Sequence, residues 1–317
     1  MPSTTTASLP TQQISLACAG HTRPVVQLSF SNTINNRYFL ISACKDGKPI
    51  LRDGATGDWL GTFVGHKGAV WSAMLGSDTS RAVTASADYT AKVWDAISGQ
   101  ELVSFMHGNI VKSADFAGSD ESVATGSQDK AVRLFDVSRP DAPTTLATHD
   151  APVRSVKWSA HRRLLISADA GRQIKITDLR SPALASALEA PEPIASISLT
   201  GDGRVLSCAA GRRVLVWDAD AFKLTRDFAL AYDVSVAAIN PARTRMVVGG
   251  RSDLLIRCCE FDSGELLDTH KGHHGSVHDA CFSPDGHVYA TGSEDGTVRL
   301  WQTNPGSEYG LWQYRKA

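Results

Sequence analysis

Residues 65–95, GHKGAVWSAMLGSDTSRAVTASADYTAKVWD, alternate apolar and polar positions in three short runs: Val70–Leu75, Arg81–Ser86 and Thr90–Asp95. Period-two alternation over about five residues marks a half-buried strand. The stretches 76–80 and 87–89 supply turns, and a fourth run follows at 101–105. The pattern predicts four short antiparallel strands forming one small sheet. A sheet of that size cannot cover its own faces, so stacked copies must bury them.

The copies are present. The aromatic-acid pair that ends the stretch recurs as Arg52-Asp53, Trp94-Asp95, Phe135-Asp136, Thr177-Asp178, Trp217-Asp218, Cys259-Glu260 and Trp301-Gln302. The steps are 42, 41, 42, 40, 42 and 42 residues. Six residues before each position stands Asp46, Asp88, Asp129, Gly171, Gly211, Asp253 or Asp295. The opening Gly-His pair appears at Gly20-His21, Gly65-His66 and Gly272-His273. It degrades to Met106-His107 and Thr148-His149, and is lost near Ala190 and Ala231. Three markers in register exclude chance spacing. The combination resembles the WD40 repeat family, which implies an all-β, seven-bladed WD40 β-propeller.

The run 14–18 precedes the first Gly-His pair, where later copies have the outer strand of the preceding blade. The seventh copy lacks such a strand of its own. The expected solution is that 14–18 closes the ring as the outer strand of the last blade, which also pairs two open edges. The domain plan is therefore a disordered N-terminus over 1–13, a propeller over 14–302 and an aromatic tail over 303–317 with Tyr309, Leu311, Trp312 and Tyr314. Blade one takes 25–30, 38–43, 48–52 and 59–63, with an insertion at 33–36. Blade three runs over 110–146, with Pro140 and Pro143 linking into its outer strand. Blade four starts at Val153, and Trp158 is expected where Phe30, Phe116 and Phe282 sit in their copies. Blades five, six and seven are read as 194–217, 234–259 and 277–301.

Seven blades use nearly all of the 317 residues, so one domain is expected rather than two. The net charge of −1 argues against a broad nucleic-acid footprint. No apolar run approaches the roughly 18 residues of a membrane helix. The opening MPSTTTASLPTQQ has neither the basic nor the apolar region of a secretory signal. The six cysteines, Cys18, Cys44, Cys208, Cys258, Cys259 and Cys281, form no CxxC pair. They are read as reduced, mostly buried thiols of a cytosolic or nuclear protein, with at least one of Cys258 and Cys259 pointing inward.

His66, Ser86 or Thr84, Asp88 and Trp94 resemble a catalytic set, but the set recurs. His107, Ser127, Asp129 and Phe135 repeat it, as do His273, Ser293, Asp295 and Trp301. Catalysis needs one pre-organised site, not one per blade. The WD40 resemblance implies a buried hydrogen-bond chain across each blade instead, and buried polar groups do need partners. His161, His270, His274, His278 and His287 lie outside the repeat positions and are expected to be mostly solvated. The chain has no phosphate loop, no HExxH and no nucleophile elbow; Gly201-Asp202-Gly203 reads as a turn. No catalytic residue, metal site or cofactor is expected.

What remains is surface. Loops on a rigid scaffold concentrate binding residues. The residues five beyond the His positions, Val26, Trp71, Lys112, Arg154 and His278, should face one rim. Lys45, Tyr89, Gln128 and Glu294 lie beside the Asp turns. Trp71 with Tyr89, Lys45, Lys112 and Arg154 makes a candidate aromatic and basic patch, and Trp and Arg are favoured at binding hot spots. Trp312 in the tail is a further candidate contact. A second reading, that Trp71 packs between blades, stays open.

A closer resemblance rests on GHTRPVVQLSF, YFLISACKDGKPILRDGATGDWLGTFVGHKGAVWSA, YTAKVWDAISGQEL, FSPDGHVYATGSEDGTVRLWQT and YGLWQ. These runs are similar to the serine/threonine kinase receptor-associated protein family, at both ends more than in blades four to six. The resemblance implies a non-enzymatic adaptor whose partners are proteins: components of the SMN complex, which assembles spliceosomal small nuclear ribonucleoproteins, and receptor kinases of TGF-β signalling. The near-neutral charge argues for contact with proteins rather than directly with nucleic acid, no membrane association is expected, and the cysteine usage fits a cytoplasmic place that extends to the nucleus. Two alternatives remain: the propeller subunit of translation initiation factor three, which shares the GHxGAVW region, and an enzyme with a propeller pocket.

Overall fold

The alternating runs become strands: residues 13–180 and 183–304, which the computed structural model describes, hold 28 strands and no helix. The polar start and the tail with Trp312 lie outside the described residues. In the second blade Val70–Leu75, Arg81–Ser86, Thr90–Asp95 and Glu101–Met106 pair in that order, all antiparallel. The strands form seven four-stranded sheets, six of them from consecutive strands.

The seventh sheet takes Val277–Phe282, Val288–Ser293, Val298–Gln302 and, as its outer strand, Leu16–Cys18. The closing register is Leu16↔Leu300, Ala17↔Arg299 and Cys18↔Val298. The strand is shorter than expected. Ile14 is 83% exposed and outside the pairing. Ser15 is held instead through its side chain, as Arg299 Nη1 donates to its Oγ at 2.8 Å. Gln13 Nε2 donates to the Gln302 carbonyl at 3.2 Å.

Seven apolar clusters hold the ring, each joining two adjacent blades. Between blades one and two, Ile41, Ala43 and Phe63 pack on Val70, Ala73 and Trp94. Across the closure, Leu28 and Leu40 pack on Val288, Val298 and Leu300, with Cys18 in the same cluster. Burying a side chain of this kind contributes about 1.5–3 kcal/mol, so no blade is stable alone. Polar links run between the innermost strands. Gln27 Oε1 accepts from Ala73 N at 2.7 Å, Asp115 Oδ2 from Trp158 N at 2.9 Å, and Asp279 Oδ2 from Leu28 N at 2.8 Å.

Several details differ from the sequence reading. Pro140 and Pro143 lie within the outer strand Arg139–Thr148 rather than ahead of it, which an edge strand tolerates. The insertion at 33–36 is a small hairpin closed by the Ile34↔Arg37 bridge, with Asn35 and Asn36 both at positive φ. Asn adopts that conformation more readily than most residues. His270 is not solvated: it is buried and stacks on Trp301, with ring centroids 5.1 Å apart. All six cysteines are free, and five are buried. Both Cys258 and Cys259 are buried, and Cys258 Sγ lies 3.4 Å from the Tyr289 hydroxyl.

Candidate partner-binding site

The innermost strand of every blade is interrupted at the same place. The pairing skips one residue between Val25 and Gln27, Val70 and Ser72, Val111 and Ser113, Val153 and Ser155, Ile194 and Ser196, Val234 and Val236, and Val277 and Asp279. The skipped residues are Val26, Trp71, Lys112, Arg154, Ala195, Ser235 and His278. A bulge leaves its extra residue unpaired and re-aims the side chain. Val26 and Ala195 pack in the apolar clusters between blades and Ser235 Oγ donates to the Gly249 and Val277 carbonyls, while Trp71, Lys112, Arg154 and His278 gather with Lys45 and Glu294 at the mouth of the central bore.

These side chains, and those of the neighbouring turns, meet across blades. Lys112 Nζ lies 3.1 Å from the Trp71 ring centroid, and Lys45 Nζ lies 5.8 Å from it. Burial, with Arg154 and Lys45 nearby, pushes the Lys112 amine down to about 8. Arg154 Nη1 donates to the Ala195 carbonyl at 3.1 Å. His278 Nε2 bonds Glu294 Oε2, and Lys45 Nζ lies 3.8 Å from that same oxygen. The structure thus brings together Lys45, Trp71, Lys112, Arg154 and His278. Tyr89, on its turn at φ 70°, is 48% exposed and makes no ring contact with Trp71. Gln128 is half-buried, its backbone N donating to the Ile110 carbonyl at 2.9 Å.

The sequence reading missed Arg251, whose charge acts on Arg154 from blade six. The available signal was its position: it stands two residues before Asp253, where Ser86, Ser127 and Ser293 stand in their copies.

The repeated polar sets lie between strands, beside this mouth. Trp94 Nε1 donates to Thr84 Oγ1 at 2.8 Å, Thr84 Oγ1 lies 2.6 Å from His66 Nε2, and His66 Nδ1 lies 2.8 Å from Asp88 Oδ2. The indole can only donate, so the threonine hydroxyl donates to His66 and Nδ1–H donates to Asp88. Blade seven repeats this through Trp301, Thr291, His273 and Asp295. The hydroxyl is that of Thr84 or Thr291, not Ser86 or Ser293. Those serines cap the Asp turn, accepting from the Asp88 and Asp295 amides. Burial would raise the two carboxyls. Hydrogen bonds from His66, Thr90 and the Lys67 amide outweigh it and hold Asp88 well below the usual range, and similar bonds hold Asp295 at about 2.

Blade three departs from the expected set. His107 reaches Thr125 Oγ1 at 2.9 Å and the Phe105 carbonyl at 3.1 Å, while Asp129 pairs with Arg133 at 2.7 Å. Phe135 has no N–H to contribute, and Ser127 donates to the Ile110 carbonyl. In blade four Asp169, two residues ahead of the expected position, lies 3.5 Å from His149. In blade one His21, Cys44 and Asp46 converge like metal ligands. Their groups are already engaged: His21 bonds Asp46 and Ser42, Asp46 N donates to Cys44 Sγ, and Cys44 donates to the Arg23 carbonyl. Burial also pushes the Cys44 thiol up to about 12, away from the thiolate a metal needs.

The family profile described as "WD domain, G-beta repeat" matches 57–95, 99–136, 142–178 and 264–302. The chain is 43% identical over 303 residues to the serine-threonine kinase receptor-associated protein of Gallus gallus, covering 95% of this chain and 86% of that protein. It is 44% identical over 289 residues to the protein of that name in Dictyostelium discoideum, covering 90% and 98%. The chain belongs to the serine-threonine kinase receptor-associated protein family. Eukaryotic translation initiation factor 3 subunit I of Drosophila grimshawi is a more distant relative, 28% identical over 314 residues, covering 90% and 95%. As a WD40 propeller of the receptor-associated family, the chain is a scaffold built for protein contacts, and the mouth is where its blades offer unlike side chains rather than repeated ones.

Proposed function

We propose that this protein is a scaffold without catalytic activity, working as an accessory subunit of the SMN complex in spliceosomal ribonucleoprotein assembly. The observation that carries the proposal is the 43% identity over 95% of the chain to the receptor-associated family. The polar sets support the non-catalytic part: the histidine–carboxylate pairs of blades one, two and seven each complete the hydrogen bonding of their own blade. The relatives' name carries a second association, with receptor serine-threonine kinases, for an organism that has them. The mouth with Lys45, Trp71, Lys112 and Arg154 is the proposed contact surface for protein partners. The protein acts in the cytoplasm and the nucleus.

The test is affinity capture of the tagged full-length protein from native extract, with identification of the chains that come with it. Sm-assembly components are expected. Recovery of translation-factor-three subunits without them overturns the assignment. Turnover of a substrate by the purified protein overturns the scaffold reading.

A further inference from the structure

Four cations from four blades form a chain of like charges around the mouth. Lys45, Lys112, Arg154 and Arg251 come from blades one, three, four and six, and the charges of neighbouring members act on one another. The carboxylate facing this group is Glu294, which His278 and Lys45 already engage. Among the described residues, no carboxylate lies within 4.0 Å of Lys112, Arg154 or Arg251. Lys112 is half-buried on the Trp71 ring, so its charge is partly stripped of water. Like charges drawn together and desolvated disfavour one another, and an anion placed among them removes that cost.

The shape says where the anion enters. The bulge residues of blades five and six are Ala195 and Ser235, the smallest of the seven, with Ala195 packed in the cluster between blades and Ser235 Oγ donating to the Gly249 and Val277 carbonyls, so neither extends a long side chain over Arg154 and Arg251. Asp115 and Asp279, on their innermost strands, are buried links to the neighbouring blades, accepting from Trp158 N and Leu28 N with the Lys157 charge acting on both. The anion is more naturally carboxylate than nucleic acid. Single-stranded nucleic acid needs aromatic faces for its bases, and the Trp71 face is occupied by Lys112. The whole chain has a net charge of −1, so the basic character is confined to this spot.

We propose that the mouth binds an extended acidic segment of a partner protein, seating its carboxylates on Lys112, Arg154 and Arg251 and passing its backbone over Ala195 and Ser235. The inference deepens the scaffold reading and rests on it only for the partner's being a protein. Arginine accepts a carboxylate in a two-pronged, charge-assisted geometry, which gives the site direction as well as affinity.

The experiment is fluorescence anisotropy with the full-length protein and a fluorescein-labelled glutamate-rich peptide. Binding is expected, weakening as salt rises. It should drop about tenfold or more in Lys112→Gln/Arg154→Gln, a loss of about 1.4 kcal/mol. Arg251→Gln, at an exposed position, should weaken it with an unchanged melting curve. The same peptide with glutamine for glutamate should not bind. Equal binding by the variants, equal binding of the glutamine peptide, or no binding of the glutamate peptide at low salt overturns the proposal. Tighter binding of a uridine oligonucleotide reassigns the mouth to nucleic acid and overturns it as well. Assembly components captured equally by wild type and double variant, with no peptide binding, sink this inference and leave the scaffold reading standing. Peptide binding without their capture does the reverse.

Discussion

Lys112 holds its ammonium 3.1 Å from the centre of the Trp71 ring, joining the mouth-facing bulges of blades two and three. A cation on an aromatic face is worth about 0.5–1 kcal/mol when exposed and more when desolvated. The contact also fixes Trp71, whose indole N–H has no hydrogen-bond partner. The ring is half-buried, with the ammonium of Lys112 from the next blade over it.

Trp71→Ala should therefore weaken partner capture mainly by releasing Lys112. Lys112→Met, which keeps the packing and removes the charge, separates the two effects. Capture lost in both variants with unchanged melting curves supports the charge as the contact. Capture retained in Lys112→Met would move the contact to the ring itself.

His66→Ala should cost about 1–3 kcal/mol, because it leaves Thr84 and Asp88 without their partner inside the blade. His107→Ala should cost less. Its chain ends on Phe135, which has no N–H, and on the Phe105 carbonyl in place of a carboxylate. Urea unfolding of both variants measures the order. A larger loss at His107 would mean that the chain of hydrogen bonds is not what stabilises the blade.

How much of this was legible in sequence follows from how local each feature is. Strand alternation, the Asp turns and the 40–42-residue step are local or periodic, so the ring and its closure by Leu16–Cys18 could be read directly. Thr84 and Ser86 point to one side of the same strand, two residues apart. Only the position of Trp94 on the neighbouring strand selects Thr84, and sequence does not carry that distance. The bulges are a property of pairing register, so counting five from the histidine found the bulged residues without the reason for their direction. His270 was misjudged because its burial comes from Trp301 and Tyr289 of the next blade.

Deleting residues 1–19 should open the ring. The deletion removes Leu16 and Cys18 from the closing cluster and bares the edge of Val298–Gln302. A loss of roughly 2–4 kcal/mol is expected from the missing burial. Thermal unfolding of the truncated and full chains is the check, and identical midpoints would show that the closing strand contributes nothing.

Tyr89 and Lys130 occupy the turn position at which Gly47 and Gly296 stand in blades one and seven, and all four have positive φ. A side chain there is strained by about 1 kcal/mol or more. Tyr89→Gly should relieve the strain, offset in part by the greater freedom of glycine in the unfolded chain. The melting midpoint should hold or rise. If Tyr89 is kept for contact, partner capture should fall in the same variant. Capture unchanged at raised stability would remove Tyr89 from the binding surface.

The last prediction concerns pH, where two kinds of group oppose each other. Burial pushes Asp115 up to about 6, against the lowering effect of Lys157 and of the Trp158 amide, and burial raises Asp279 to about 6 too. An acid whose folded pKa is raised holds its proton more tightly in the fold. Its favourable contribution is complete below the usual carboxylate pKa near 4 and is lost as pH rises through about 6. His107 runs the other way. Burial lowers it to about 4, so its contribution is complete above about 6.5 and is lost as pH falls through about 4. Between these limits the two partly cancel, and wild-type stability should vary little. Asp115→Asn removes one side of the balance while keeping an oxygen to accept from Trp158 N. The variant should be more stable than wild type at pH 7.5, by about 1–3 kcal/mol, since each pKa unit is worth 1.36 kcal/mol. The advantage should shrink toward zero near pH 4. Urea unfolding at the two pH values decides it: a difference that does not change with pH would mean that the Asp115 carboxyl titrates in the fold as it does in the unfolded chain.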